Sequence, residues 1–180
     1  MRAKKVNELK KAYVFDFDDT LVKTDAKILV SINGKFIKAL TPNEYNNHQA
    51  KEDEVLDFSE FDDPKFILQS KKYKIWPVLQ NIYNAKKSGR SNSDIFILTA
   101  RTDISKYPIS SLFKRNNIDI PLENILTIGD DTKEQNIAKE KLEVLKDLKN
   151  IYDHITYFDD NIDNIETAKE LSGIHIRLVD

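Results

Sequence analysis

Five short apolar runs constrain this chain more than any other feature: AYVFDFD (12–18), DIFILTA (94–100), NILTIGD (124–130), HITYFDD (154–160) and GIHIRLV (173–179). Their apolar residues cluster instead of alternating, the pattern of strands covered on both faces in a parallel sheet. Between them, residues 75–88, 104–116, 134–150 and 163–171 carry helical patterning and are expected as crossover helices. The rhythm predicts an α/β fold of three layers, with a doubly wound parallel sheet of about five strands and ligands at the carboxyl ends of those strands. The 180 residues suffice for one such domain with a modest insertion, burying roughly 70% of the unfolded surface.

The interval after the first run breaks the rhythm. KILVSINGKFIKALT (27–41) has two β-prone halves around Asn33-Gly34, the signal for a hairpin closed by a type I′ turn. The following PNEYNNHQAKEDEVLDFSEFDDPKF (42–66) is acidic and dotted with aromatics, and is expected as a small cap or extended loop without a core of its own. The predicted division is therefore a catalytic core of residues 1–25 and 75–180, with a cap insertion at 26–74. Tyr45, His48, Phe58, Phe61 and Phe66 within the insertion read first as its packing cluster and second as a stacking surface.

Composition removes several kinds of chemistry. With no cysteine, disulfides, thiolate catalysis and cysteine-based zinc sites are excluded. Lysine plus arginine number 28 against 30 aspartate plus glutamate, so the net charge of −2 offers no general attraction to nucleic acid or anionic membrane. No run reaches the roughly 18 apolar residues of a membrane span, and the charged start MRAKKVNELKK lacks a following apolar segment. These features lead us to expect a soluble, cytoplasmic protein with no membrane partner.

The strand ends carry the chemistry. Asp16 and Asp18 lie two apart after the first run, so a continued extended backbone would place both on one side and turn Asp19 away. Like charges that close favour a divalent cation between them, and Mg²⁺ prefers such hard oxygen ligands. The second run ends in Thr99, Ala100 and Arg101, and the fourth in Asp159 and Asp160, with Asp163 four residues after Asp159. Asp159 with Asp163 could complete a cation site, and the Thr99 hydroxyl with nearby backbone N–H groups could hold phosphate oxygens. In residues 132–150, Ile137, Val144, Leu145 and Leu148 form an apolar stripe with Lys141 near its centre. Either this lysine snorkels to solvent or its stem carries the charge to the acidic cluster. Lys139 and Lys133 are weaker candidates. Arg101 could reach a substrate anion or pair with a carboxylate of the insertion. Thr20 is expected to secure the turn and nearby carboxylates, and Trp76, His154 and His175 to serve structure or surface.

Taken together, VFDFDDTLV, ILTAR, Lys141 and YFDDNIDN resemble the four motifs of the haloacid dehalogenase-like phosphohydrolase superfamily over about residues 12–170. A more general likeness, from the hairpin and LTPNEYNNH, is to small phosphatase-like proteins of phages and bacteria. The resemblance implies a Mg²⁺-dependent phosphatase with Asp16 as nucleophile, Asp18 as general acid and base, and Thr99 and Lys141 on the phosphoryl group. It also implies a metal held by Asp16, the Asp18 backbone carbonyl and Asp159, with help from Asp163 or Asp160. Gly129-Asp130-Asp131 is an alternative fourth motif, but choosing it leaves no well-placed lysine helix after Thr99. The expected substrate is a phosphorylated small molecule or nucleotide, with a short nucleic-acid end as the alternative. A receiver-like or noncatalytic Mg²⁺-dependent binding protein is the rival of another class.

Overall fold

A computed structural model describes residues 9–129 and 136–180. Along the core, strand β1 (Lys11–Phe15) is followed by β2 (Val22–Lys23), which opens the insertion. The insertion contains β3 (Ile28–Ile32), β4 (Lys35–Leu40), α1 (Pro42–Asn46), β5 (Glu54–Asp57), α2 (Ser59–Asp62) and α3 (Pro64–Gln69), and β6 (Lys71–Lys72) closes it. The core resumes with α4 (Trp76–Lys87), β7 (Asp94–Thr99), α5 (Lys106–Arg115) and β8 (Ile125–Thr127). It ends with α6 (Ile137–Lys149), β9 (His154–Asp159), α7 (Ile162–Ala168) and β10 (His175–Leu178).

All five predicted core strands join one parallel sheet in the order β10-β9-β1-β7-β8. Strand alternation divides its side chains between two helix layers. Phe15, Ile95 and Ile97 pack with Trp76, Leu79, Ile109 and Phe113 from α4 and α5. Val14, Phe96, Leu98 and Tyr157 pack with Leu145 and Leu148 from α6 and Ile165 from α7. Burial on both faces accounts for the unalternating sequence and for the three-layer, doubly wound α/β architecture.

The chain leaves β1 toward β7 on one side and later returns to place β9 on the other. β1 is thus the switch point, where the loops beyond adjacent carboxyl ends diverge and leave a crevice. Pairing of Phe15 with Phe158 brings Asp16, just past β1, beside Asp159, the last residue of β9.

Within the insertion, Asn33 and Gly34 both have positive φ (50° and 74°), as the type I′ turn between β3 and β4 requires. The segment that follows differs from expectation. β5 pairs with the open edge of β3, and Leu56, Tyr45 and Phe61 cover Ile28, Val30 and Leu40. The acidic stretch therefore forms a small core jointly with the hairpin, which supplies both the free edge and the apolar face. β2 and β6 pair antiparallel where the chain departs and returns. Among the described residues, no helix is long and apolar enough to cross a membrane.

Candidate active site

A cavity of about 930 Å³ opens at the switch point and is lined by Asp16, Asp18, Ala100, Arg101, Lys141, Asp159, Asp160 and Asp163. Asp16, Asp159 and Asp160 each offer an oxygen within 4.8 Å of the others, a hard-oxygen group able to hold a divalent cation. Lys141 is 2% exposed, and its Nζ donates to Asp16 Oδ1 at 2.6 Å and Asp159 Oδ2 at 2.7 Å. On α6 it shares the buried face with Leu142, Leu145 and Leu148, so the stem crosses apolar packing and the ammonium emerges among carboxylates.

Charge at this point is unbalanced. Burial pulls the Lys141 ammonium down, but Asp159 and Asp16 outweigh that effect and hold it well above its ordinary range. Burial pushes Asp16 well up, opposed by Lys141 and reinforced by Asp159 and Asp160. Burial, then the Asp159 charge, raise Asp160 to about 6. Three carboxylates converge on one ammonium, and held ionised together they would leave two negative charges, the complement of a divalent cation. The donor set, all carboxylate oxygen, fits Mg²⁺.

Asp159 is held from every side. Asn161 N–H donates to Oδ1 at 2.9 Å, and Asn164 Nδ2 reaches both oxygens at 3.0 and 3.1 Å. The Tyr157 hydroxyl and Lys141 donate to Oδ2. With its acceptor sites used by the protein, Asp159 is an anchor for Lys141, and Asp160 is the freer ligand. Thr20, fully buried, donates to Asp160 Oδ1 at 3.1 Å, which secures that carboxylate across 140 residues of sequence. Asp163 lines the cavity but is exposed, and lies outside the convergent three.

Asp18 faces another partner. Arg101 Nε and Nη2 donate to its two oxygens at 2.8 and 2.7 Å, a bidentate pair. The guanidinium, 5.6 Å from the Phe17 ring centroid and 5.1 Å from that of Phe61, also donates to the Phe61 carbonyl. Arg101 thus pairs with the core carboxylate and meets the insertion at the Phe61 carbonyl and ring. Asp19, expected to turn away, lines the cavity as well, because its positive φ of 54° breaks the extended path.

Thr99 is 1% exposed, and its hydroxyl accepts from Arg101 N–H at 3.2 Å. It lies behind Ala100 and Arg101, outside the residues lining the cavity. Asp130, Asp131 and Lys133 lie outside the described residues. Gly129 in the same motif has a packing reason: a Cβ there would stand 2.3 Å from the Ala100 carbonyl oxygen. Its absence allows the loop after β8 to press against residues 100–101.

Tyr157 and Asn164 went unnoticed in the sequence. Their signal was present: Ile155, Tyr157 and Asp159 fall on one face of β9, and Asn164 sits with Ile165 and Ala168 on the buried face of α7. Each is a polar group at an apolar position, as Lys141 is.

Comparison with protein-family models and with curated proteins gives no match. Two solved structures match in fold. A chain of the Pnkp1/Rnl/Hen1 RNA repair complex superposes over 100% of this chain and 46% of its own, with a TM-score of 0.54 and 13% identity. A chain of a second Pnkp1/Rnl/Hen1 complex gives 99%, 50%, 0.53 and 15%. The shared fold is a three-layer α/β arrangement around a doubly wound, five-stranded parallel sheet, as the resemblance noted in the sequence leads one to expect. At these identities the likeness extends to fold alone, and the chain spans about half the length of the chains it matches.

Proposed function

We propose that this protein is a Mg²⁺-dependent phosphomonoester hydrolase acting through an aspartyl-phosphate intermediate. The observation that carries this reading is the convergence of three carboxylates on the single buried ammonium of Lys141 at the switch point, beside a second, separately held aspartate. Asp16 is the nucleophile: an oxygen of its carboxylate forms a bond to phosphorus as the bond to the leaving alkoxide breaks. Asp18 gives its proton to that alkoxide, then takes one from the water that hydrolyses the acyl phosphate. While Asp18 carries a proton, the oxygen holding it releases its Arg101 contact, and the other contact keeps the carboxyl oriented. Lys141 has three N–H groups and spends two on Asp16 and Asp159, which leaves one for a phosphoryl oxygen.

The metal would be held by Asp16, Asp160 and the Asp18 backbone carbonyl, with Asp159 at its margin and Asp163 on the rim. When bound, Mg²⁺ supplies charge neutralisation between these carboxylates and the phosphoryl oxygens. Thr99 fixes the turn into Ala100 and Arg101, two residues that line the same cavity. Residues 26–74 act as the cap: Ile28, Tyr45, Phe58 and Phe61 line the cavity, and Asp62 accepts from Thr102 Oγ1 at 2.7 Å and Ser105 Oγ at 3.1 Å.

The substrate in this reading is a phosphorylated small molecule or nucleotide. A phosphorylated nucleic-acid end is the second reading, favoured by the fold likeness to a chain from an RNA repair complex. Phosphate release from a panel of nucleotides, sugar phosphates and 3′- or 5′-phosphorylated oligonucleotides, with Mg²⁺ and with chelator, tests both. Mg²⁺-dependent release from monomeric esters supports the first reading, and release confined to oligonucleotides supports the second. No release from any of them contradicts the hydrolase assignment.

A further inference from the structure

We infer that Phe58, braced edge to face by Tyr45, forms a stacking subsite for a nucleobase, which makes a nucleoside monophosphate the substrate class of the site. The inference rests on the phosphatase reading above and deepens it. The cavity is chemically divided. Its sheet side carries carboxylates and Lys141, whereas the insertion contributes Ile28, Pro42, Tyr45, Phe58 and Phe61. A volume of about 930 Å³ exceeds the needs of a phosphate and a hydrated cation, and the remaining space borders the apolar wall.

Phe58 is 36% exposed, although it lines this cavity. Tyr45 meets it edge to face, with centroids 5.3 Å apart and planes 85° apart. A T-shaped pair leaves ring faces outside the contact, available to a third flat ring. Tyr45 and Phe61 both cover the insertion's core, and Phe61 also lies against the Arg101 guanidinium, so Phe58 is the ring of the three with a face left exposed to the cavity. The exposed aromatic wall is therefore suited to an uncharged planar group.

Charge narrows the ligand to one phosphate. Among the described residues, seven acidic ones line the cavity against two basic ones, Lys141 and Arg101, and both cations are paired with those carboxylates. A single phosphoryl group at the metal position is compensated there, but further phosphates along a chain would meet the remaining described carboxylates, whose two neighbouring cations are already paired. Of the lysines at 65–74 and 86–90, none lines the cavity, so these clusters provide no phosphate track into it. A neutral base and ribose beyond one phosphate meet both demands.

The test compares kcat/KM for AMP and glycerol 2-phosphate in the wild type, Phe58→Ala and Phe58→Trp, and AMP binding by Asp16→Asn with and without Phe58→Ala. The wild type is expected to prefer AMP, and Phe58→Ala to lower that preference about tenfold through KM, the scale of one lost stacking contact. Phe58→Trp, which keeps a flat face, should retain it, separating stacking from folding effects. Equal hydrolysis of both esters, unmoved by Phe58→Ala, overturns the subsite and leaves the phosphatase reading standing. Hydrolysis of neither ester, with AMP binding weakened about tenfold by Phe58→Ala, supports the subsite and removes the phosphatase reading. Absence of AMP binding, or activity only on phosphorylated oligonucleotides, overturns the subsite.

Discussion

At the scale of single residues, the site depends on buried charges that no one partner satisfies. Lys141 lies between Asp16 and Asp159, and removing it leaves their charges buried without compensation. Lys141→Ala is expected to destabilise the metal-free protein by about 3 kcal/mol, read from urea denaturation in chelator. The same variant should gain more stability from Mg²⁺ than the wild type does, because the empty position is then more negative. An equal or smaller gain would contradict the charge-deficit reading. Tyr157→Phe removes one donor to the buried Asp159 carboxylate and is expected to cost about 1.5–3 kcal/mol. A neutral result in the same denaturation experiment would show that Asn161, Asn164 and Lys141 already hold Asp159 fully. Lys141 was legible because a lysine interrupts an apolar helical stripe. The Asp18–Arg101 pair was not, because 83 residues separate its members and only strand register and the Asp19 turn bring them together.

At the scale of elements, local pattern and tertiary context divide differently. The core strands were legible because both their faces are buried, and the hairpin because Asn33-Gly34 permits positive φ at both turn positions. The β5 strand was obscured by charge: Glu54 and Asp57 flank Val55 and Leu56, and its place depends on an edge that β3 leaves open. Gly129 connects one element to another through close approach. Gly129→Ala is expected to lower the melting temperature and to reduce kcat, since the loop at Ala100-Arg101 must shift to admit a methyl group. Wild-type values for both would show that the loop yields freely.

A second element-scale contact gives a pH dependence. Partial burial pushes Asp94 up, but hydrogen bonds from Lys86 and Tyr152 outweigh it and leave its carboxyl below the usual range. Tyr152 is pushed up to about 12 by burial and by its bond to Asp94. Because the folded-state value of Asp94 is depressed, its stabilisation is present above the unfolded value of about 4 and is lost as pH falls through the folded value. Melting temperatures of wild type and Asp94→Asn should therefore differ at pH 7 and converge toward pH 3. A constant difference across that range would contradict the assignment.

For the whole molecule, fold and site are one consequence of topology. A parallel sheet whose strand order switches sides at β1 brings the ends of β1, β7 and β9 to a common crevice, and the insertion after β1 adds the remaining wall. A cation that binds only the folded arrangement must stabilise it, by about 2.7 kcal/mol at 100-fold excess over its dissociation constant. Thermal melts in Mg²⁺ and in chelator should differ accordingly for the wild type and converge for Asp160→Asn. The most direct test of the central claim is Mg²⁺-dependent phosphate release by wild type and Asp16→Asn, with each protein's fold verified by its melting transition. The account predicts turnover by the wild type, abolished in chelator, and none by a folded Asp16→Asn. Undiminished release by that variant would contradict it.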